Sequence, residues 1–529
     1  MRPLPDCTRK PTLIGGGTES HAAVGTKINE LNQDEKMNRT KKLLAVLIPV
    51  LSCVCADLAA PASSWAACSG SSPRWTSTAD YTSLNTCITG ANAGDTITVS
   101  GNATWNTGQM VTFTRGVTLV GSGNPTITGK TLFLLWNANA AARAAHDTLT
   151  IRGFTFDGDN STAAQVLSGG LLTLKNTQST DYVTVVIRGN IFKNTQARAV
   201  YIGGRVYGVV SNNVIDRVYQ PISAYGNDQN SWANETQAYG VAQNLYFEDN
   251  TIQCSTACSN SRAISGGQGG RIVVRYNTFD FANQTSSSQM WELHGLQSMQ
   301  SDSGDPQCAY TGHDLCNPLL RVAEQYSTMV SEFYGNQAIN WVAGNQWMAQ
   351  RGGWMLFFNN YYAARTGSSS GIKYMETACD SSQKYYDTMG PYVQHIANTY
   401  VWTNYDKTTL TRMTKDVDTC ADRSIGSPYT ITKDRDYFTD PIGPFDGTSG
   451  VGCGTLAARP ATCTTGVGYW ATSQSCSDLI EMVGAKPTMP ISGTLYKCTA
   501  PDTWTAYYSP YQYPHPLTAP SAPRNLVIK

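Results

Sequence analysis

The stretch Met290-Trp291-Glu292-Leu293-His294-Gly295 sets an acid and an imidazole two residues apart in a run that alternates with apolar side chains. In a strand, Trp291 and Leu293 share one face, and Glu292 and His294 share the other. An acid and an imidazole projecting together suit general acid-base work, because the carboxylate orients the ring and raises its basicity. The alternative is a surface histidine capping a loop. Arg351, in Arg351-Gly352-Gly353-Trp354-Met355, stands beside two glycines, and its guanidinium could hold a carboxylate through two hydrogen bonds. Its other reading is a structural pin between neighbouring segments. Glu332, in Val330-Ser331-Glu332-Phe333, and Lys373, in Gly371-Ile372-Lys373-Tyr374-Met375-Glu376, add an acid and an amine nearby. The expectation is one line of groups along a single face. His294, Glu292, Arg351, Glu332 and Lys373 would be its catalytic members, and Trp341, Trp347 and Trp354 would offer flat ring faces for a ligand to stack on. Core filling is the plainer reading of each tryptophan.

Those groups need elements to carry them, and the chain supplies a repeat. Asparagine recurs in short apolar segments: Gly-Asn190-Ile-Phe, Asn-Asn213-Val-Ile, Asp-Asn250-Thr-Ile and Tyr-Asn277-Thr-Phe, then more weakly at Asn336, Asn360 and Asn398. Asparagine tolerates the left-handed backbone of a sharp corner, and its amide can bond to the same amide in the next copy, forming a ladder. The spacing is too short for strand-helix-strand units and too long for hairpins, which leaves parallel coils stacked many times. Insertions between copies build binding faces. The long ones fall at Val218 to Val241, Ala282 to Tyr326, Ala364 to Tyr392 and after Asn404.

This pattern resembles the right-handed parallel β-helix of the pectin-lyase-like superfamily from about Trp75 to Asn404. The entry segment matches as well: Tyr81 through Cys87, then Gly94-Asp95-Thr96-Ile97, then Gly116-Val117-Thr118-Leu119-Val120-Gly121. The resemblance implies an all-β solenoid with an N-terminal capping helix, and a disulfide-rich irregular C-terminal region completes the expected fold. It also implies a carbohydrate partner, most directly a uronic-acid polysaccharide cleaved by β-elimination, with His294 as base and Arg351 or Lys373 neutralising the uronate. The alternatives are a hydrolase on the same fold and a non-catalytic glycan-binding or adhesive surface protein. Neither the W-I-D-H and R-x-P-x-x-R segments of pectate lyases nor the N-T-D, G-H-G and R-I-K set of polygalacturonases is present. The resemblance therefore transfers no catalytic residue.

Charged residues make up 14% of the chain, with 38 basic and 38 acidic side chains, so the formal net charge is zero. Without a basic stripe to displace phosphate counterions, nucleic acid is not an expected partner. Residues 1–36 are polar and fit an extension preceding the true start. Met37 through Lys42 and the apolar run Leu43 to Cys53 read as a signal peptide, residues 37–56, too short to span a bilayer and cut near Ala56. Cys53 resembles a poor lipoprotein box. The expected layout continues with the solenoid over residues 57–404, a Cys-rich region packed on it over 405–516, and a linker-like tail over 517–529. The mature chain would be a secreted or cell-surface monomer without a membrane span.

Of 15 cysteines, setting aside Cys7, Cys53 and Cys55 leaves twelve, an even number that suits disulfides in an oxidising compartment. Proximity pairs Cys68 with Cys87, Cys254 with Cys258, Cys308 with Cys316, Cys379 with Cys420, Cys453 with Cys463, and Cys476 with Cys498. A metal reading is weaker, since no C-x-x-C pair occurs. Asp157 and Asp159 suggest a calcium turn, but the remaining spacing does not meet an EF-type loop, and an ordinary polar turn is the plainer reading.

Overall fold

A computed structural model of the protein describes residues 68–166, 169–176, 181–226, 236–259, 263–267, 269–286, 290–293, 327–341, 347–364, 371–375, 395–418, 431–441 and 443–519. Strands dominate, and almost all pair in parallel. They fall into three ladders. The first runs through Arg74–Thr78, Thr96–Ser100, Thr118–Gly121, Thr148–Arg152, Val183–Arg188, Val206–Ser211, Leu245–Glu248, Arg271–Arg275, Val330–Tyr334, Trp354–Phe358, Thr399–Trp402 and Tyr437–Thr439. From Thr96–Ser100 onward the chain crosses a second ladder and then a third before each return, until Tyr437–Thr439 ends the first. The long strands Ile191–Gly204 and Val214–Tyr225 belong to both of the latter. Pairing continues past the boundary expected at Asn404, through Tyr405–Asp406, Thr414–Asp418 and Tyr437–Thr439.

Strand alternation sends every second side chain inward. In the first ladder Ile97, Leu119, Ile151, Ile187, Val210, Phe247, Val274, Phe333, Phe357 and Val401 stack in register. In the second, Phe156, Phe192, Ile215, Ile252, Phe279 and Ala338 do the same. These residues are almost wholly buried in one core. Burying each large side chain contributes about 1.5–3 kcal/mol, so the column as a whole holds the strands in register. The helix Tyr81–Gly90 closes the N-terminal end. Asp80 accepts the Ser83 N–H as its cap, and Leu84, Cys87 and Ile88 face inward.

The asparagine ladder is present, with two corrections. From Asn190 through Asn213, Asn250, Asn277, Asn336 and Asn360, each Nδ2 donates to the next Oδ1 at 2.8–3.1 Å. The last member is Asn404, not Asn398. Asn398 instead accepts from Lys497 Nζ at 2.6 Å and adopts a left-handed backbone. The left-handed corner is taken by the residue before each ladder asparagine: Gly189, Asn212, Asp249, Tyr276, Gly335, Asn359 and Thr403. The asparagine itself stays in the regular region, where its amide can reach both neighbours and a backbone carbonyl.

The C-terminal region is not irregular. Val451–Gly454, Gly468–Ala471, Thr494–Ala500 and Thr503–Tyr508 form a small mixed sheet. It covers the outward face of the first ladder, not an end of the stack, and builds a second core there from Tyr246, Tyr276, Tyr334, Phe358 and Trp402 against Trp470, Leu495 and Tyr508. Cys68 pairs with Cys87 and Cys254 with Cys258, as proximity suggests. The other two pairs differ: Cys453 bonds Cys476, and Cys463 bonds Cys498. Sheet pairing decides this, because Gly466 N–H donates to Cys498 O and Asp502 N–H to Cys463 O, which lays the two cysteine segments side by side. Cys308, Cys316, Cys379 and Cys420 lie outside the described residues.

Candidate functional site

In the third ladder Leu172, Leu174, Val200, Ile202, Ile222, Ala224, Ile264, Trp291, Leu293 and Met348 belong to the core. Alternation therefore turns Thr173, Tyr201, Ser223, Ser265, Glu292 and Ala349 to the opposite face, all in one register, which continues along the backbone to Lys373. The next register on that face holds Lys175, Gly203, Tyr225 and Gly267. Arg351 follows Gln350 directly, and its N–H donates to Leu293 O at 3.1 Å, which ties it to the end of the Glu292 strand.

Glu292 is completely buried, and Arg351 Nη2 lies 2.8 Å from its Oε1 with the guanidinium side chain 21% exposed. Gly353 makes this approach feasible. Its φ is +70°, and a Cβ there would lie 1.8 Å from Thr328 O, so no other residue fits the turn after Arg351.

Further along the same face, Arg198 Nε donates to Ser223 Oγ at 2.9 Å while its guanidinium stands 5.6 Å from the Tyr201 ring. The Lys175 ammonium is 5.9 Å from that ring. Tyr201 and Tyr225 stack at 5.9 Å, and the Tyr225 hydroxyl shares a 2.8 Å hydrogen bond with Ser265 Oγ. Burial pushes the Tyr201 phenol up to about 12, partly opposed by Arg198, so it remains protonated at neutral pH. Burial also lowers the Lys175 ammonium below the ordinary lysine range. Five strand steps separate Lys175 from Arg351, roughly 24 Å at about 4.8 Å per step. Over that length the face carries three cations, one paired acid, two tyrosine rings and two serine hydroxyls.

The single line expected from the sequence does not form. Glu292 and Arg351 come together, and Lys373 shares the Glu292 register, although its side chain is outside the described part. Glu332 belongs to the first ladder. It accepts the Gly240 N–H at 2.7 Å and the Tyr508 hydroxyl at 2.9 Å, beneath the C-terminal sheet. Burial raises its carboxyl to about 7. Glu292 and Glu332 are buried and do not project into solvent: Arg351 lies against Glu292, and the C-terminal sheet lies over Glu332. Trp347 is fully buried in the core against Tyr362, so its ring cannot stack on a sugar. Trp354 is half-buried on the first ladder, 5.9 Å from Tyr239. Trp341 ends a second-ladder strand, and its side chain is not described. His294 lies outside the described residues.

Lys175, Arg198, Tyr201 and Tyr225 were not anticipated. They are visible once Leu172-Thr-Leu-Lys175, Val200-Tyr-Ile-Gly203, Ile222-Ser-Ala-Tyr225 and Ile264-Ser-Gly-Gly267 are aligned as a second repeat, separate from the asparagine one. Among the described residues no group of acids, histidines and cysteines could hold a metal ion. Asp157 instead accepts from Asn194 and pairs with Lys193 at 3.2 Å, and Asp159 pairs with Lys130 at 3.8 Å. No described helix is long and apolar enough to cross a membrane. Compared with known proteins, the chain matches no protein family, no curated protein and no solved structure.

Proposed function

We propose that the chain is an exported right-handed parallel β-helix protein that binds an acidic polysaccharide along the outward face of its third ladder and cleaves it by β-elimination. One observation carries the reading: Lys175, Arg198 and Arg351 line a single face together with Tyr201 and Tyr225. Cations meet uronate carboxylates, and tyrosines offer both a ring face and a hydroxyl donor to a sugar. Disulfides among the described residues suit an oxidising compartment.

In the elimination, a cation on the carboxylate acidifies the C5 proton. A neutral amine or imidazole removes that proton, the C4–O bond breaks, the electron pair forms the C4=C5 double bond, and the leaving oxygen takes up a proton. His294 is the candidate base, and Lys175, Arg198 and Arg351 are the candidate cations for the carboxylate. The test is incubation with pectate, alginate and a glycosaminoglycan panel, read by the near-ultraviolet absorbance of unsaturated product. Silence across the panel, with His294→Ala and Lys175→Ala no different from wild type, overturns the lyase.

A second reading, glycan binding without cleavage, is favoured by the Glu292–Arg351 ion pair. That guanidinium is already charge-compensated and has less to offer a uronate. Binding on a glycan array without product formation would select it.

A further inference from the structure

We infer that the C-terminal sheet carries a second ligand site, a hydroxyl-lined depression for an uncharged glycosyl unit. A cavity of about 390 Å³ opens where Val451–Gly454, Gly468–Ala471 and Thr494–Ala500 end together. That volume falls within the roughly 300–1,000 Å³ of small-ligand sites. Its polar lining comes from Thr455, Thr472, Ser473, Ser492, Thr494 and Tyr496, with no charged side chain among the lining residues.

These hydroxyls are not all committed to the fold. Thr472 donates to Ser492 O at 2.7 Å, and Thr494 shares a bond with Ser509. Thr455, Ser473 and Ser492 are exposed and Tyr496 is half-buried, and among the described residues none of their hydroxyls makes an intramolecular hydrogen bond, so all four line the depression as water-facing donor-acceptor groups. The floor is shaped for this. A Cβ at Gly493 would lie 2.5 Å from Trp470 Cζ2, and one at Gly454 would lie 2.7 Å from the Tyr469 hydroxyl. Glycine at both positions lets the strands close beneath the recess.

Tyr496 is also braced. The Arg459 guanidinium lies 4.3 Å from its ring centroid and 5.6 Å from that of Trp504, whose Nε1 donates to Pro460 O. Arg459 Nη1 is buried without a hydrogen-bond partner among the described residues, so this corner retains an unused donor beside the recess. An anionic ligand would call for cations in the lining, and an apolar one would leave these hydroxyls unpaired. A sugar ring presenting several neutral hydroxyls satisfies them.

The inference stands apart from the activity proposed for the third ladder. The intact protein is titrated calorimetrically with xylohexaose, cellohexaose, mannohexaose and maltohexaose. At least one is expected to bind, and Ser492→Trp, which fills an exposed position of the recess, should weaken it at least about tenfold. Tyr496→Phe keeps the ring under Arg459 and removes one hydroxyl, so a several-fold loss is expected. It decides the matter if Ser492→Trp does not fold. Lys175→Ala should leave hexaose binding unchanged, which separates this site from uronate binding on the ladder. Binding of none of the four hexaoses overturns the inference, as does binding unaffected by Ser492→Trp in a folded protein.

Discussion

The amides of Asn277 and Asn336 meet at 3.0 Å although 59 residues separate them in the chain. The bond spans the longest insertion and keeps the strands on either side in register. Asn277 also donates to Phe247 O and Arg275 O, and its Oδ1 accepts both the backbone N–H and the amide of Asn250.

Asn277→Ala should therefore cost more than an ordinary buried hydrogen bond. Two donors of Asn250 lose their acceptor in a fully buried place, and each unsatisfied group costs about 1–3 kcal/mol. Asn277→Asp should be worse, since a carboxylate facing the Asn336 oxygen replaces attraction with repulsion. Urea unfolding ranks the two. Equal midpoints for Asn277→Asp and wild type would remove the ladder as a source of stability.

The asparagine spacing made parallel stacking legible because it repeats where the backbone must bend, and a bend constrains residue type. The ladder member Asn404 is hard to see because Tyr405-Asp406 follows it, where the clearest copies carry two apolar or β-branched residues such as Val214-Ile215 and Thr278-Phe279. The functional face was less legible. Outward positions of the third ladder carry Thr, Tyr, Ser, Ser and Glu in turn, so residue type changes too often to reveal the column. Glu332 reads as exposed by alternation, and only the C-terminal sheet folding over that face buries it. Pairing of distant segments decided that, as it did for Cys453 and Cys463.

The strap of residues 511–515 is held by a buried ion pair. Arg275 and Glu248 face each other across adjacent strands at 2.6 Å with both side chains fully buried. Arg275 also donates to Tyr511 O and Gln512 O, and Glu248 accepts the His515 N–H. Arg275→Met leaves Glu248 charged and uncompensated, with an expected loss of about 3–5 kcal/mol. Adding Glu248→Leu should recover part of that stability but not the strap, whose two carbonyls still lack donors. Denaturation gives the first result, and faster proteolytic clipping near Gln512 in both variants gives the second. A strap equally resistant in the double variant would mean that the pair does not hold it.

Glu332 and His515 give stability opposite pH dependences over overlapping windows, so the two slopes largely offset each other in the wild-type protein. Burial raises the Glu332 carboxyl from an ordinary 4.5 to about 7, so between these values the folded state binds more protons than the unfolded chain, and stability falls as pH rises through the window. Burial depresses the His515 imidazole from 6.5 to about 4, so stability falls as pH drops through that range. In Glu332→Gln the first slope should vanish while the second persists. Thermal unfolding at pH 4.5, 6 and 8 measures both. An unchanged loss between pH 6 and 8 in Glu332→Gln would assign that slope to another group.

Lys175 sets the last expectation, which concerns binding on the third ladder. Because burial lowers its ammonium below the ordinary lysine value, its charge disappears at lower pH than that of a surface lysine, and affinity for a uronate polymer should weaken earlier on the alkaline side. Lys175→Arg restores a cation at every accessible pH and should move that loss upward. Lys175→Ala should raise KM several-fold, flatten the alkaline limb and reduce the dependence on salt, because one screened charge contact is gone. Arg198→Ala should raise KM without moving the limb, since Lys175 is left in place. If the alkaline limb of Lys175→Arg coincides with that of wild type, the titrating cation lies elsewhere on the face.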